Sequence, residues 1–587
     1  MTTGAGRNPP RRGVFPPLPD DLEHRLGLPM AEDNPLGFTA VLAADELAEV
    51  LEAGERVLDD YGLNAEFVPA GHGGRLSGLD RMVYVLRTAC RRDPVLGLGY
   101  GMSSLMAAVN VWTSGSRRQQ ERVAELLLGN RKLACAFHEL EHGNDLARAE
   151  FVATPSGAPG ADSFVLSGRK QVIGNVERAD AIVLFARTGQ GPGSRSHSLL
   201  LLDMATLPRD GYRYLPRFHT SGLRGMALGG IEFLNCPVPA SSVVGVEGHA
   251  LETALRAFQI TKVALPGSSA GILDTALRTA VRFTLGRRLY GRKVADLPYP
   301  RGILGDAFAD LLVSDCFAMS VTRALHVLPG EGSTPTAAVK LLVPTVLVEA
   351  TKRLSALLGA QFYLRSGEYS MMQKLVRDSQ PSAFVHASRS ACRMSILPQL
   401  PLLARRGWSS GVPAPAQVFR PGGSLPPLRF EELSLSSRGQ DHLGASLLAL
   451  AGKLPGGSAA HREVQSLVDL FAGEWSRLSE ACSGLPPREL TVTASPLSYR
   501  LADRYALLLA AGCCVGVWLE SQDGADPFLR HPSWLIAVLT RLAARLGRPR
   551  QAIPDHVQSH LFGELLRRYH DSRAFDLSGQ QLMEWHP

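Results

Sequence analysis

The chain has 587 residues, 45% of them hydrophobic and 20% charged, with a formal charge of +7. That length exceeds one hydrophobic core and points to about three or four domains, while the composition excludes wholesale disorder. The basic excess is spread thinly, with no aromatic-interleaved basic run, so a nucleic-acid partner is not expected.

Residues 1–40 are rich in proline and lack periodicity. They read as a flexible tail and an irregular lead-in, without the apolar region of a secretory signal. From Asp45, placed to cap a helix start, Leu47, Val50, Leu51, Val57 and Leu58 share one helical face. Helical patterns continue to about residue 130, giving an N-terminal helical domain over 41–130. The period then changes. Short apolar runs at 133–137, 164–166, 181–186, 198–202 and 230–234, separated by Gly, Pro, Asp and Ser, predict a β domain over 131–245. Helices return with the stripe Ile272, Leu273, Ala276, Leu277, Ala280 and Val281, and further helices fit 303–327, 336–358 and 373–396. These form a helical domain over 246–400.

The Pro/Gly-rich stretch 413–427 marks a linker over 401–440. Residues 441–587 form a C-terminal helical extension, with helices at 459–482, 496–519, 532–546 and 555–570. The apolar run 505–519, interrupted by Gly512 and Gly516, is too short to span a bilayer and reads as a buried helix, so no integral membrane segment is expected. The eight cysteines include no CxxC pair. They read as reduced core residues of a cytoplasmic protein. Helices, then strands, then helices make an α+β plan that cannot be one doubly wound sheet.

Several stretches carry a resemblance. They are Phe137-His138-Glu139-Leu140-Glu141-His142-Gly143-Asn144-Asp145 and Gly168-Arg169-Lys170-Gln171-Val172-Ile173-Gly174-Asn175, then Gly222-Leu223-Arg224-Gly225 followed by Val238-Pro239, then Arg287-Arg288-Leu289-Tyr290-Gly291 and Arg377-Asp378. In this order and spacing, the region from about 41 to 400 resembles the acyl-CoA dehydrogenase family. The resemblance implies an N-terminal α-helical domain, a central β-barrel domain and a C-terminal four-helix bundle, to which this chain adds a helical domain. It also implies FAD as cofactor, an acyl-CoA or acyl carrier protein thioester as partner, and a homodimer or homotetramer built on 246–400 in which residues 287–291 reach across.

Members of that family abstract a proton alpha to a thioester carbonyl with a carboxylate and pass the beta hydrogen to the flavin as hydride. The usual position of the carboxylate, nine residues after Arg377, is His386. The alternative position, before an arginine on an earlier helix, reads Thr261-Lys262. No acid stands at either. His386 is then either a base, for which an ordinary pKa near 6.5 is suitable, or a pocket-wall residue left after dehydrogenation was lost.

The flavin contacts are altered too. The resemblance assigns His138 to a threonine position, Val172 to a tryptophan and Gly174 to a threonine, while Arg287, the aromatic Tyr290 and Gly359 are kept. Candidate cofactor-binding residues are therefore Phe137, His138, Asn144, Val172, Gly174, Arg287, Tyr290 and Gly359, and Lys262 takes the place of an arginine that meets coenzyme A. No metal site is expected, because His138 and His142 lie on a strand and turn rather than a helix. The function implied is that of a divergent, dehydrogenase-like flavoprotein in specialised biosynthesis. A flavin-dependent oxygenase of the same fold and a flavin-free binding or non-redox protein are the alternatives.

Overall fold

The computed structural model describes residues 20–156, 162–189, 191, 193–548 and 552–585. The expected tail falls largely in 1–19, outside the described residues. The lead-in is more regular than expected: it holds α1 (Asp20–Leu26) and the start of α2 (Phe38–Leu47). Asp45 does not cap a helix start. It is buried near the end of α2, which closes at Ala48 with φ +55°. The N-terminal region continues through α3 (Glu52–Tyr61), α4 (Leu79–Arg92), α5 (Met102–Ser114) and α6 (Arg117–Leu128). A reciprocal Ser116/Gln119 capping box starts α6.

The β module contains β1 (Leu133–Ala136), β2 (Val152–Pro155), β3 (Ser163–Gly174), β4 (Ala181–Arg187), β5 (His197–Asp203), β6 (Tyr212–Leu215), β7 (Leu228–Pro239) and β8 (Val243–Val244). The strand order is β6-β7-β3-β2-β4-β5-β8, with β1 parallel to β4. The end strands β6 and β8 do not pair among the described residues. The sequence of β4 is apolar almost throughout because both faces are buried. Ile182 and Leu184 face the module's own core, while Val183 and Phe185 join the core of the helices.

The second helical region comprises α7 (Ala250–Gly286), α8 (Pro298–Val327), α9 (Ser333–Leu357), α10 (Met371–Ser379), α11 (Arg389–Ile396) and the short turn α12 (Leu400–Leu402). A small residue lets α4 approach α7 closely: a Cβ on Gly271 would lie 2.6 Å from the Arg87 carbonyl oxygen. The single helix expected over 373–396 is two helices. Pro381 lacks the N–H that a continuing helix would use, and Ser388 caps the new start by accepting the Ala391 N–H at 3.2 Å.

Residues 401–440 are packed rather than a free linker. Arg256 donates to the Leu433 carbonyl at 2.7 Å, Arg323 to that of Gln417 at 2.9 Å, and Val418, Phe419, Phe430 and Leu433 are buried. The chain continues through α13 (His442–Ala451), unforeseen in the sequence, α14 (Ala459–Ser483), α15 (Pro496–Glu520), α16 (Pro527–Arg530), α17 (Pro532–Arg545) and α18 (Asp555–His570). These helices share one hydrophobic core with α7, α8 and α9. The segments Val95–Ser114 and Pro496–Glu520 are long and apolar enough to cross a membrane, and both are mostly buried inside the protein.

The last residues close the fold. Asp576 accepts from Arg87 at 2.9 Å and from Arg91 at 2.6 Å, and Arg87 also reaches Asp315 at 2.7 Å. The N–H groups of Phe575 and Leu577 donate to Asp274 and Asp315, and the Arg278 guanidinium lies 4.2 Å from the Phe575 ring centroid. Burial works against ionisation of Asp576, but Arg91 and Arg87 outweigh it and hold the carboxyl well below the usual range. Removing one partner leaves uncompensated buried charge, so Asp576→Ala should cost about 3–5 kcal/mol in urea unfolding. Because the folded pKa is depressed, the Asp576 contribution is complete above the ordinary carboxylate pKa and is lost only as pH falls below it. A change under about 1 kcal/mol would show that the C-terminal segment does not anchor these helices.

Candidate functional site

The site forms where the β module meets the bundle. Asp378 in α10 accepts the Leu223 N–H at 2.7 Å, and Arg377 donates to the Ser221 carbonyl at 3.1 Å and to Asp45 at 2.6 Å. Beyond α10 a turn leads to His386, whose φ of +70° is a left-handed value that few side chains other than glycine adopt. From there the imidazole reaches α7. Its Nε2 lies 2.5 Å from Thr261 Oγ1, and its ring centroid lies 3.9 Å from that of Phe258. Thr261 Oγ1 is also 3.2 Å from the Phe258 carbonyl oxygen. When the single hydroxyl proton goes to that carbonyl, His386 donates from Nε2 and Nδ1 remains as the acceptor. Phe258 packs on Phe137 at 5.3 Å, and Phe137 on Phe185 at 5.5 Å, so an aromatic stack joins the sheet to the base-position loop.

No carboxylate contacts His386 among the described residues, and Lys340 and Lys262 lie near it. Burial, followed by His138, Lys340 and Lys262, holds the imidazole well below its ordinary pKa, and it is neutral at pH 7. Burial also lowers Lys262 and brings Lys340 to about 8, with Cys392 opposing both shifts. Lys340 donates to the Ser382 carbonyl at 2.6 Å and steadies the loop. On the sheet side, Lys170 pairs with Glu139 at 2.7 Å and donates to the Phe137 carbonyl at 3.1 Å.

Solved structures share this arrangement of helices around a sheet. Residues 249–386 match the acyl-CoA dehydrogenase C-terminal domain. The mitochondrial isovaleryl-CoA dehydrogenase of Oryza sativa subsp. japonica is 24% identical over 269 residues, covering 46% of this chain and 64% of that protein. The butyryl-CoA dehydrogenase of Megasphaera elsdenii superimposes with a TM-score of 0.58 at 18% identity, covering 65% of this chain and 97% of its own. The chain has the acyl-CoA dehydrogenase fold, and its residues 249–386 carry that family's C-terminal domain. The prolyl acyl carrier protein oxidase AnaB has the same fold, with a TM-score of 0.55, 18% identity and coverage of 64% and 96%. The chain spans just under two thirds of the rice enzyme, and the superposition on the butyryl-CoA dehydrogenase covers 65% of this chain.

Within this acyl-CoA dehydrogenase fold, the two positions that the resemblance gives to the base, 125 residues apart in sequence, meet as the Thr261–His386 hydrogen bond. Lys262 is buried beside them. On the sheet side, Phe137 is buried, and His138 shares a 2.9 Å hydrogen bond with the Gly143 carbonyl. Asn144 is exposed. Asn175 keeps φ +57° and donates to the Gly99 carbonyl at 2.7 Å and to Ser103 at 3.0 Å, fixing the end of β3.

Arg287, Tyr290 and Gly359 stand apart from this group within one chain. Arg287 precedes a hairpin of β9 (Arg288–Leu289) and β10 (Arg292–Lys293), and Tyr290 at its tip is 93% exposed. Gly359 is exposed just beyond α9.

At positions 172 and 174, which the resemblance gives to flavin contacts, the side chains are small or apolar. Val172 and Gly174 offer no polar group, and a Cβ on Gly174 would lie 2.5 Å from the Met226 methyl carbon, so Met226 already fills that space. Phe258, Lys340 and Cys392 were not foreseen as site residues. Lys340 had a visible signal: it is a lone cation in the apolar run Ala337-Ala338-Val339-Lys340-Leu341-Leu342. Phe258 and Cys392 had none, since apolar residues on helices read as core.

The strained backbone at residue 386 gives a test. His386→Ala and His386→Gly both lose the hydrogen bond and the ring contact, but only glycine is at ease at φ +70°. The glycine variant should be more stable than the alanine variant by about 1 kcal/mol in chemical denaturation. Equal stabilities would place residue 386 in another conformation in solution.

Proposed function

We propose that this protein is a divergent acyl-CoA dehydrogenase-like flavoprotein acting on an acyl thioester of coenzyme A or a carrier protein in specialised biosynthesis, with ordinary straight-chain dehydrogenation weak or lost. The observation that carries this reading is the Thr261–His386 contact, which joins both family base positions and holds no acid. The likeness to the AnaB oxidase supports a carrier-bound thioester beside coenzyme A. FAD, when bound, supplies the hydride acceptor. His138, Val172 and Gly174 would line its ring, and Arg287, Tyr290 and Gly359 of a second copy would meet its remainder. That division favours a homodimer or homotetramer, and the exposed basic-aromatic hairpin at 287–293 supports it.

The residues present can bind and orient more readily than they can abstract a proton. Nδ1 of His386 can accept one, but burial and the neighbouring Lys340 and Lys262 oppose the resulting imidazolium. Proton abstraction is therefore unfavourable, while stabilisation of a negatively charged group is favoured.

The test uses purified protein with its flavin content read from visible absorbance, before and after incubation with FAD. Bound or reconstituted flavin, with butyryl-CoA bleaching it very slowly, is the expected result. His386→Glu should raise that rate about a hundredfold, the usual worth of a positioned general base. Brisk oxidation of butyryl-CoA by the wild-type protein, or failure to take up flavin under any condition, would overturn the reading.

A further inference from the structure

Four lysines are buried in the described residues: Lys170, Lys262, Lys340 and Lys374. Two are paired with acids. Lys170 meets Glu139 at 2.7 Å, and Lys374 meets Asp378 at 2.5 Å and Asp93 at 2.9 Å. The other two are not. Lys262 is 5% exposed and has no hydrogen bond or ion pair among the described residues, and Lys340, 1% exposed, reaches only the neutral Ser382 carbonyl. Both stand by His386 and Cys392, at the place where the family carries its carboxylate. A buried ammonium without a counter-ion is costly. This fold pairs its buried lysines elsewhere, so the missing anion here is one that arrives with a ligand.

We propose that Lys262 and Lys340 form an anion subsite that takes a carboxylate carried on the acyl chain of a thioester substrate. His386, which lies near both lysines and is only partly buried, packs on Phe258, and Phe258 on Phe137, so apolar rings against which methylene groups can pack adjoin the cations. The ammonium of Lys262 supplies the ion pair, and Lys340 adds field while holding the loop. The carboxylate of the substrate then occupies the electrostatic place of the absent glutamate. This inference rests on the reading of the pocket as a thioester site.

The test measures binding by titration calorimetry, so activity is not needed. Succinyl-CoA should bind at least tenfold tighter than butyryl-CoA to the wild-type protein. Lys262→Met should abolish that preference, weakening succinyl-CoA binding at least tenfold more than it weakens butyryl-CoA binding. Because Lys262→Met removes an unpaired buried charge, it should melt no lower than wild type without ligand, which checks its folding. His386→Glu supplies an internal carboxylate and should also bring the preference to near one. Equal binding of both thioesters by wild type would overturn the subsite while leaving the thioester reading intact. Binding of neither thioester would overturn the thioester reading. The subsite is then judged with free succinate: a rise in melting temperature for wild type and none for Lys262→Met supports a site for free carboxylates, and no rise overturns it.

Discussion

A buried cluster of charge around Asp378 fixes the geometry on which the site depends. Lys374 lies 2.9 Å from Asp93, 2.5 Å from Asp378 and 3.6 Å from Asp45, and Arg377 reaches Asp45 at 2.6 Å. Asp45 and Asp93 belong to the N-terminal helices, Lys374 and Asp378 to the bundle, and the Leu223 N–H bound by Asp378 to the β module. Three parts of the fold are thus tied at one point. Loss of any one partner would strand the others in a low-dielectric interior, which makes the cluster cooperative rather than additive. His386 follows Asp378 by eight residues, so the position of the imidazole is inherited from this anchor.

The same logic extends to the C-terminal addition. Arg541 of α17 bridges to Asp306 at 2.8 Å and Asp310 at 2.6 Å in α8, and Asp576 closes on Arg87 and Arg91. The addition therefore covers α8 with matched charge as well as apolar surface. Buried ion pairs contribute less to stability than their number suggests, because desolvation offsets much of the attraction. Their stronger effect is on register, since an arginine between two aspartates has few acceptable placements.

Much of the plan was legible in the sequence because periodicity reports burial. The change from helical spacing to short runs at Leu133 marked the sheet, and the continuous apolar run of β4 marked a strand buried on both faces. The strands of the sheet that were missed, Val152–Pro155, Tyr212–Leu215 and Val243–Val244, and the hairpin strands Arg288–Leu289 and Arg292–Lys293, are short and partly or fully exposed, and they give no alternation long enough to read. Residues 401–440 look like a linker because proline and glycine dominate, yet side chains of other helices satisfy their carbonyl groups, a tertiary effect without local trace. At the site, position counting brought out His386 and Thr261-Lys262. It did not reveal the helix break at Pro381, the left-handed backbone or the second lysine, because these depend on what packs against the loop.

The absence of an acid beside Thr261 and His386 has more than one electrostatic consequence. A glutamate there would neutralise the neighbouring ammonium groups when ionised. With imidazole in its place, the protonated state that completes abstraction is opposed by every charged neighbour, and the neutral state is favoured. Two alternatives would relieve the unpaired cations: their own deprotonation, toward which burial already moves Lys262 and Lys340, or the arrival of an anion. Deprotonation alone would leave two polar amines buried with one carbonyl acceptor between them, which also carries a cost. An incoming anion removes both costs at once, so the electrostatics that disfavour proton abstraction also favour recognition of a negatively charged ligand.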